Sequence, residues 1–272
     1  MTDADLYSVH DLLRLMERLR DPEHGCPWDL AQDFHTIVPS TIEECYELAD
    51  AIERGDFAHV ADELGDVLFQ VVFYSRLGSE RGLFDFPTVV DGLVRKLIRR
   101  HPHVFADGEL EGIVSDKTAV AAVKDSWETI KQSEREQRAQ AGVFDDVPMG
   151  LPALSQAQKI QKRAARAGMD WRSPQAVLEK LEEELAEFTQ ALAAGDTRQQ
   201  SEELGDLLFS CVNMARHLEL DAETLLRGAS RKFQDRFNRV DESLNEQGRA
   251  MHQQSDEVLE TLWQRAKAER GR

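Results

Sequence analysis

The chain has 272 residues, 41% of them hydrophobic and 31% charged, and a formal net charge of −18. That length allows two domains of ordinary size, each with its own core, and the composition is that of a soluble globular protein. Acidity this strong argues against gripping a nucleic-acid backbone, which needs clustered Lys and Arg, although most of it serves simply to keep the chain in solution.

In chain order, the opening segment MTDADLYSVHDLLRLM carries acids where a secretory leader needs a basic start and an apolar stretch. The longest apolar runs fall short of a membrane span. Cys26, Cys45 and Cys211 are far apart and odd in number, which argues against a disulfide framework and against a cysteine zinc site. The expectation is a cytoplasmic protein with neither membrane nor nucleic acid among its partners.

The pattern then reads as helix nearly throughout. Ile42, Cys45, Leu48, Ala49 and Ile52 recur at helical steps, with Ser40 or Thr41 as N-cap and Glu43 and Glu44 at capping-box distance. Gly55 stops that helix. Val60, Leu64, Val67, Leu68, Val71 and Tyr74 mark the next one, after a short link over residues 55–59 that makes the two helices antiparallel neighbours. A loop is expected at 106–116, and an inter-domain linker at 138–150, where a polar run gives way to Gly and Pro. Beyond it, Ser173 followed by Pro174 is an N-cap with a first-turn proline, and Gly195 is a stop. Alternating β-branched runs are scarce. The fold expected is all-α: two tandem helical-bundle domains, 1–138 and 150–272, related by internal duplication.

The duplication is legible in the residues. Glu43-Glu44-Cys45-Tyr46-Glu47 returns 140 positions later as Glu183-Glu184-Leu185-Ala186-Glu187. Asp62-Glu63-Leu64-Gly65-Asp66 returns at the same interval as Glu202-Glu203-Leu204-Gly205-Asp206. Lys96, Arg100, Trp127 and Lys131 are echoed by Lys232, Arg236, Trp263 and Lys267. Core positions can repeat for packing alone. Acids, bases and a tryptophan repeated in register are harder to explain as surface filler.

Residues three and four apart on a helix share a face. Glu44 and Glu47 on one helix, and Glu63 and Asp66 on its neighbour at the edge of the apolar stripe of Leu64, Val67 and Val71, can bring four or five carboxylates together. Such a cluster repels itself unless positive charge lies within it. Hard divalent cations with oxygen ligands supply that charge, and Mg²⁺ characteristically binds through carboxylates plus substrate phosphates. A di-iron bundle needs Glu-x-x-His pairs, and no His stands in that place. Lys96 with Arg100, and Lys232 with Arg236, are either surface ion-pair formers or phosphate contacts. Trp127 and Trp263 are either core residues or flat faces for a base, with Lys131 and Lys267 one turn on for a phosphate. His101 and His103 have no counterparts and read as structural.

Glu-Glu-x-x-Glu followed by Glu-x-x-Asp on two helices resembles the MazG-type, all-α nucleoside triphosphate pyrophosphohydrolases. Cys26–Asp29 (CPWD), Glu63–Tyr74, Arg99–Phe105 (RRHPHVF), Leu151–Arg163 and Trp263-x-x-x-Lys267 extend the resemblance over nearly the whole chain. It implies a homodimer that hydrolyses nucleoside triphosphates, ribo and deoxy alike, to nucleoside monophosphate and pyrophosphate with Mg²⁺. It carries the metal ligands to Glu184, Glu187, Glu203 and Asp206, with Glu183 a further acid and Glu183 or Glu184 as the base. Lys180, Gln199, Glu202, Lys232, Arg236 and Trp263 become nucleotide contacts. The first-half equivalents are Glu44, Glu47, Glu63, Asp66, Lys96, Arg100 and Trp127. The resemblance favours the second half as the working site, while neither half is read as departing from the pattern. The competing class is a helical interaction protein that binds nucleotide, or a partner, without turnover.

Overall fold

The computed structural model describes residues 6–105, 108–112, 130 and 142–268. Trp127 and Lys131 lie outside the described residues, as do parts of the expected loop and linker. The chain divides into two compact units, Met1–Ser133 and Glu134–Arg272. Among the described residues every regular element is helical.

In the first unit, α1 (Val9–Leu19) begins at a capping box. The Ser8 hydroxyl accepts from the Asp11 amide and the Asp11 carboxylate accepts from the Ser8 amide. After the single turn α2 (Pro27–Leu30) come α3 (Val38–Arg54), α4 (Phe57–Glu80) and α5 (Phe86–Arg100). Helix α3 starts earlier than the sequence suggests. Ile37 is its N-cap and Pro39 sits in its first turn, so Ser40 and Thr41 are interior residues. Thr41 spends its hydroxyl on the Ile37 carbonyl and on Tyr74 Oη, each 3.0 Å away, rather than on capping. The link between α3 and α4 is only Gly55 and Asp56. Gly55 takes φ +72°, a left-handed turn open to glycine at little cost. Asp56 caps α4 by accepting from the His59 amide.

The core of this unit lies at the far end of the α3–α4 hairpin from that turn. Met16 of α1, Ile37, and Val72, Phe73 and Leu77 of α4 are fully buried together. Arg20 locks this end. Its guanidinium donates to both Glu80 carboxylate oxygens and to the Asp29 and Gln32 carbonyls, and it lies over the Phe73 ring. The CPWD motif thus closes the bundle, placing Asp29 where Arg20 can reach its carbonyl.

The second unit repeats the hairpin. Helix α7 (Pro174–Ala194), capped by Ser173, turns through Gly195 at φ +72° and Asp196 into α8 (Thr197–His217). Helix α6 (Ala153–Arg166) lies against α8, and α9 (Ala222–Glu246) follows, capped by Asp221. A 3₁₀ turn, Met251–Gln253, leads to α10 (Asp256–Ala268), which packs on α9 through Val240, Leu244 and Ala266. The glutamines of the 151–163 motif are struts. Gln158 donates to the Leu220 carbonyl and accepts from the Ala222 amide, and Gln161 donates to the Phe209 carbonyl. Arg163 of the same motif pairs with Asp146.

Candidate metal centres

The two-residue turn brings the middles of α3 and α4 alongside each other in antiparallel register. The two helices therefore present their acids to a common point. Carboxylate oxygens of Glu44, Glu63 and Asp66 come within 4.8 Å of one another. In the second unit the same register on α7 and α8 gathers Glu184, Glu187 and Glu203 within that distance. Among the described residues these are the two clusters with the spacing of a cation site.

Each unit thus forms a trio within that distance from the four acids named in the sequence, and the trios are not the same. Glu47 stands outside the first and Asp206 outside the second, yet both act on their neighbours. Burial holds the Glu44 carboxyl above its ordinary range, and the carboxylates of Asp66, Glu47, Glu63 and Glu43 push it further. Glu63 is raised by desolvation and then by Glu47 and Asp66. Glu203 is raised by desolvation and then by Glu187, Glu184 and Asp206. Mutual repulsion of this kind favours turning the least constrained carboxylate toward water. A divalent cation among these oxygens would relieve it, and carboxylate oxygens completed by substrate phosphates and water are a donor set suited to Mg²⁺.

The environments differ in their charged residues: His59, which acts to lower the Glu63 carboxyl in the first unit, stands where the second has Gln199, and the second unit carries Lys180. In the second unit Lys180 Nζ lies 2.8 Å from Glu184 Oε1 and 3.1 Å from Glu183 Oε1. Those hydrogen bonds, Glu184 first, hold the ammonium above the usual lysine range. The position 140 residues earlier is Ser40. The reading that neither half departs from the pattern is therefore corrected at this position. Below the trios the halves differ again. Thr41, Gln70 and Tyr74 form a hydroxyl–amide network in the first unit, where Leu181, Ser210 and Met214 stand in the second.

The remaining candidates fall into two groups. Gln199 sits at the trio, its side chain bonded to Glu203. Glu202 points away, into an exposed pair with Arg198. Lys232 and Arg236 are half-buried on α9, and the Arg236 guanidinium lies 6.0 Å from the Trp263 ring centroid. Trp263 is half-buried, packing at 5.2 Å against Phe233 and on the core of Val240, Leu244 and Ala266. Lys267 is exposed on α10. Among the described residues no hydrogen bond or ion pair ties Lys232, Arg236 or Trp263 to the trio. In the first unit Lys96 and Arg100 are half-buried on α5. Glu43 and Glu183, the acids next to Glu44 and Glu184 in the chain, are exposed.

Comparison with known proteins places this geometry in context. A family model described as the MazG nucleotide pyrophosphohydrolase domain matches residues 32–105 and 172–240, once in each unit. A protein of Escherichia coli named nucleoside triphosphate pyrophosphohydrolase is 47% identical over 261 residues, 95% of this chain and 97% of that one. One of Thermotoga maritima, named nucleoside triphosphate pyrophosphohydrolase/pyrophosphatase MazG, is 42% identical over 94% of each chain. YabN of Bacillus subtilis, named as uncharacterized, is 39% identical over 93% of this chain, which spans half its length.

Proposed function

The chain belongs to the MazG nucleotide pyrophosphohydrolase family, and from that premise we propose that it hydrolyses nucleoside triphosphates to nucleoside monophosphate and pyrophosphate with Mg²⁺ as cofactor. The observation that carries this reading is the carboxylate trio on a helical hairpin, built twice at the same register. Glu184, Glu187, Glu203 and Asp206 would hold the cation in the second unit, and Glu44, Glu47, Glu63 and Asp66 in the first. Mg²⁺ there supplies charge neutralisation for the triphosphate and acidifies water. Lys180 contacts phosphate as a mobile point charge. Glu183, exposed beside the buried Glu184, takes the proton of the attacking water as it adds to the α-phosphorus. Glu184 is the alternative base, less suited because it is a ligand.

Lys232 and Arg236 reach the phosphates from α9, and Trp263 offers its face to the base. Arg236 keeps a buried Nε that has no hydrogen-bond partner among the described residues. Substrates are ribo- and deoxynucleotides alike, since the named residues address phosphate and ring face rather than the sugar. The cellular role that follows is regulation or cleaning of the nucleotide pool. The three cysteines are free thiols, which suits a cytoplasmic setting, and no helix of the described residues is long and apolar enough to cross a membrane.

We place the active form as a homodimer. Leu64, expected in the buried stripe, is 52% exposed within its unit, and Leu68 and Val71 are exposed beside it. On α7, Leu178, Leu185 and Leu192 are exposed at seven-residue spacing, with Leu204 and Leu208 on α8. A heptad stripe of leucine next to a charged site is the surface a second copy covers.

Incubation with ATP and Mg²⁺, with and without chelator, tests the reaction. AMP and pyrophosphate, lost in chelator, are expected. ADP and orthophosphate put the attack at the wrong phosphorus and overturn the mechanism. No turnover of any nucleoside triphosphate leaves a binding protein.

A further inference from the structure

We infer that Lys180 is a built-in counter-ion that weakens the second trio's hold on a divalent cation until a nucleotide arrives, whereas the first trio, with Ser40 at that place, binds the cation more tightly on its own. The inference rests on reading both trios as Mg²⁺ sites. It starts from Glu184, which is 5% exposed, so its charge needs a partner inside the fold. Lys180, one turn before it on α7, provides that partner at 2.8 Å and holds Glu183 as well. A cation approaching Glu184 therefore meets an ammonium already in contact with its ligand, and like charges oppose its entry.

A triphosphate changes the balance. It carries several negative charges of its own, and Lys180 is a flexible point charge about one-third exposed to solvent. Turning from Glu184 to a phosphate oxygen keeps the ammonium paired and frees the carboxylate for the cation. Cation and nucleotide then favour each other's binding in the second unit, and by linkage the coupling is reciprocal. The first unit lacks this device. Ser40 carries no charge, and Glu44 is raised first by burial and then by other carboxylates. A cation entering there relieves repulsion and has no ammonium to displace, the nearby His59 being paired with Asp56 at 2.7 Å. The two units, alike in their acids, thus differ in when they load.

The test uses the full chain with one trio disabled at a time. Glu44→Gln with Glu63→Gln leaves the second trio, and Glu184→Gln with Glu203→Gln leaves the first. Circular dichroism confirms that each variant is folded. Mn²⁺ replaces Mg²⁺, and free Mn²⁺ is read by electron paramagnetic resonance with and without α,β-methylene-ATP, corrected for the analogue's own Mn²⁺ binding. Without nucleotide, the first trio is expected to bind on the order of tenfold tighter than the second. The analogue closes that gap. Lys180→Met raises the affinity of the second trio without nucleotide by a similar factor, and Ser40→Lys lowers that of the first. Equal affinities without nucleotide, or no effect of Lys180→Met, overturn the counter-ion role while leaving both trios as metal sites. No Mn²⁺ at either trio, with or without the analogue, overturns the reading of the trios themselves and this inference with it.

Discussion

Glu184 and Glu44 occupy the same place in the duplication and live in different electrostatic company. Glu184 is buried against Lys180, and Glu44 is half-buried among acids. If the second unit does the chemistry, Glu184→Gln is expected to lower kcat by about 100-fold or more, because on the proposed reading it removes a direct cation ligand and not merely its support. Glu44→Gln then leaves turnover within about twofold. Steady-state kinetics with ATP and with a deoxynucleotide check both. The other informative side chain is Arg20, 7% exposed and shared among Glu80 and two carbonyls. Its hydrogen bonds, followed by those of Arg76, hold the Glu80 carboxyl below its ordinary 4.5. A depressed carboxylate contributes stability that is present above the unfolded-state pKa and lost as pH falls through the folded one. Acid unfolding of the first unit is therefore expected to begin below about pH 4.5, the ordinary glutamate value. Glu80→Gln should flatten that limb, as read by circular dichroism against pH. Arg20→Met costs roughly 2–3 kcal/mol, between the ranges for exposed and buried pairs, in urea denaturation.

At the level of elements, each hairpin depends on a turn of two residues, a glycine at positive φ and an aspartate cap. Gly195→Ala forces a Cβ into the left-handed region and is expected to cost about 1 kcal/mol, measurable as a lower thermal midpoint. Gly65 and Gly205 pose the opposite case. Both lie inside helices, beside the acids, and a Cβ there meets nothing within 4 Å. A helical glycine costs about 1 kcal/mol relative to alanine, so a bare one repeated in both units points to close approach by something outside the unit. Gly205→Ala should therefore stabilise the unit by up to about 1 kcal/mol in denaturation while weakening nucleotide binding or self-association.

On the scale of the whole molecule, the proposed homodimer rests on the exposed leucines. Leu185→Glu and Leu64→Glu place a charge in each apolar stripe and are expected to shift the chain from twice its mass to its own mass in sedimentation equilibrium. A wild-type chain that sediments as a monomer at micromolar concentration sinks the dimer.

The helical class, the two copies, the glycine stops, the Ser173 cap and the register of the acids could all be read from the residues, because these depend on local propensity and on a 3.6-residue period that spacing reveals. The Ser40–Lys180 difference was also legible in the repeat, but its meaning was not. Only the tertiary structure showed that Lys180 closes on buried Glu184, that Glu47 and Asp206 stand outside their trios, and that Thr41 is an interior residue bonded to Tyr74. It also turned Leu64 and Val71 outward, where periodicity had suggested a buried stripe. Spacing fixes which face of a helix a residue lies on. What that face meets, and which of several like charges gives way, depends on side chains brought in from other elements.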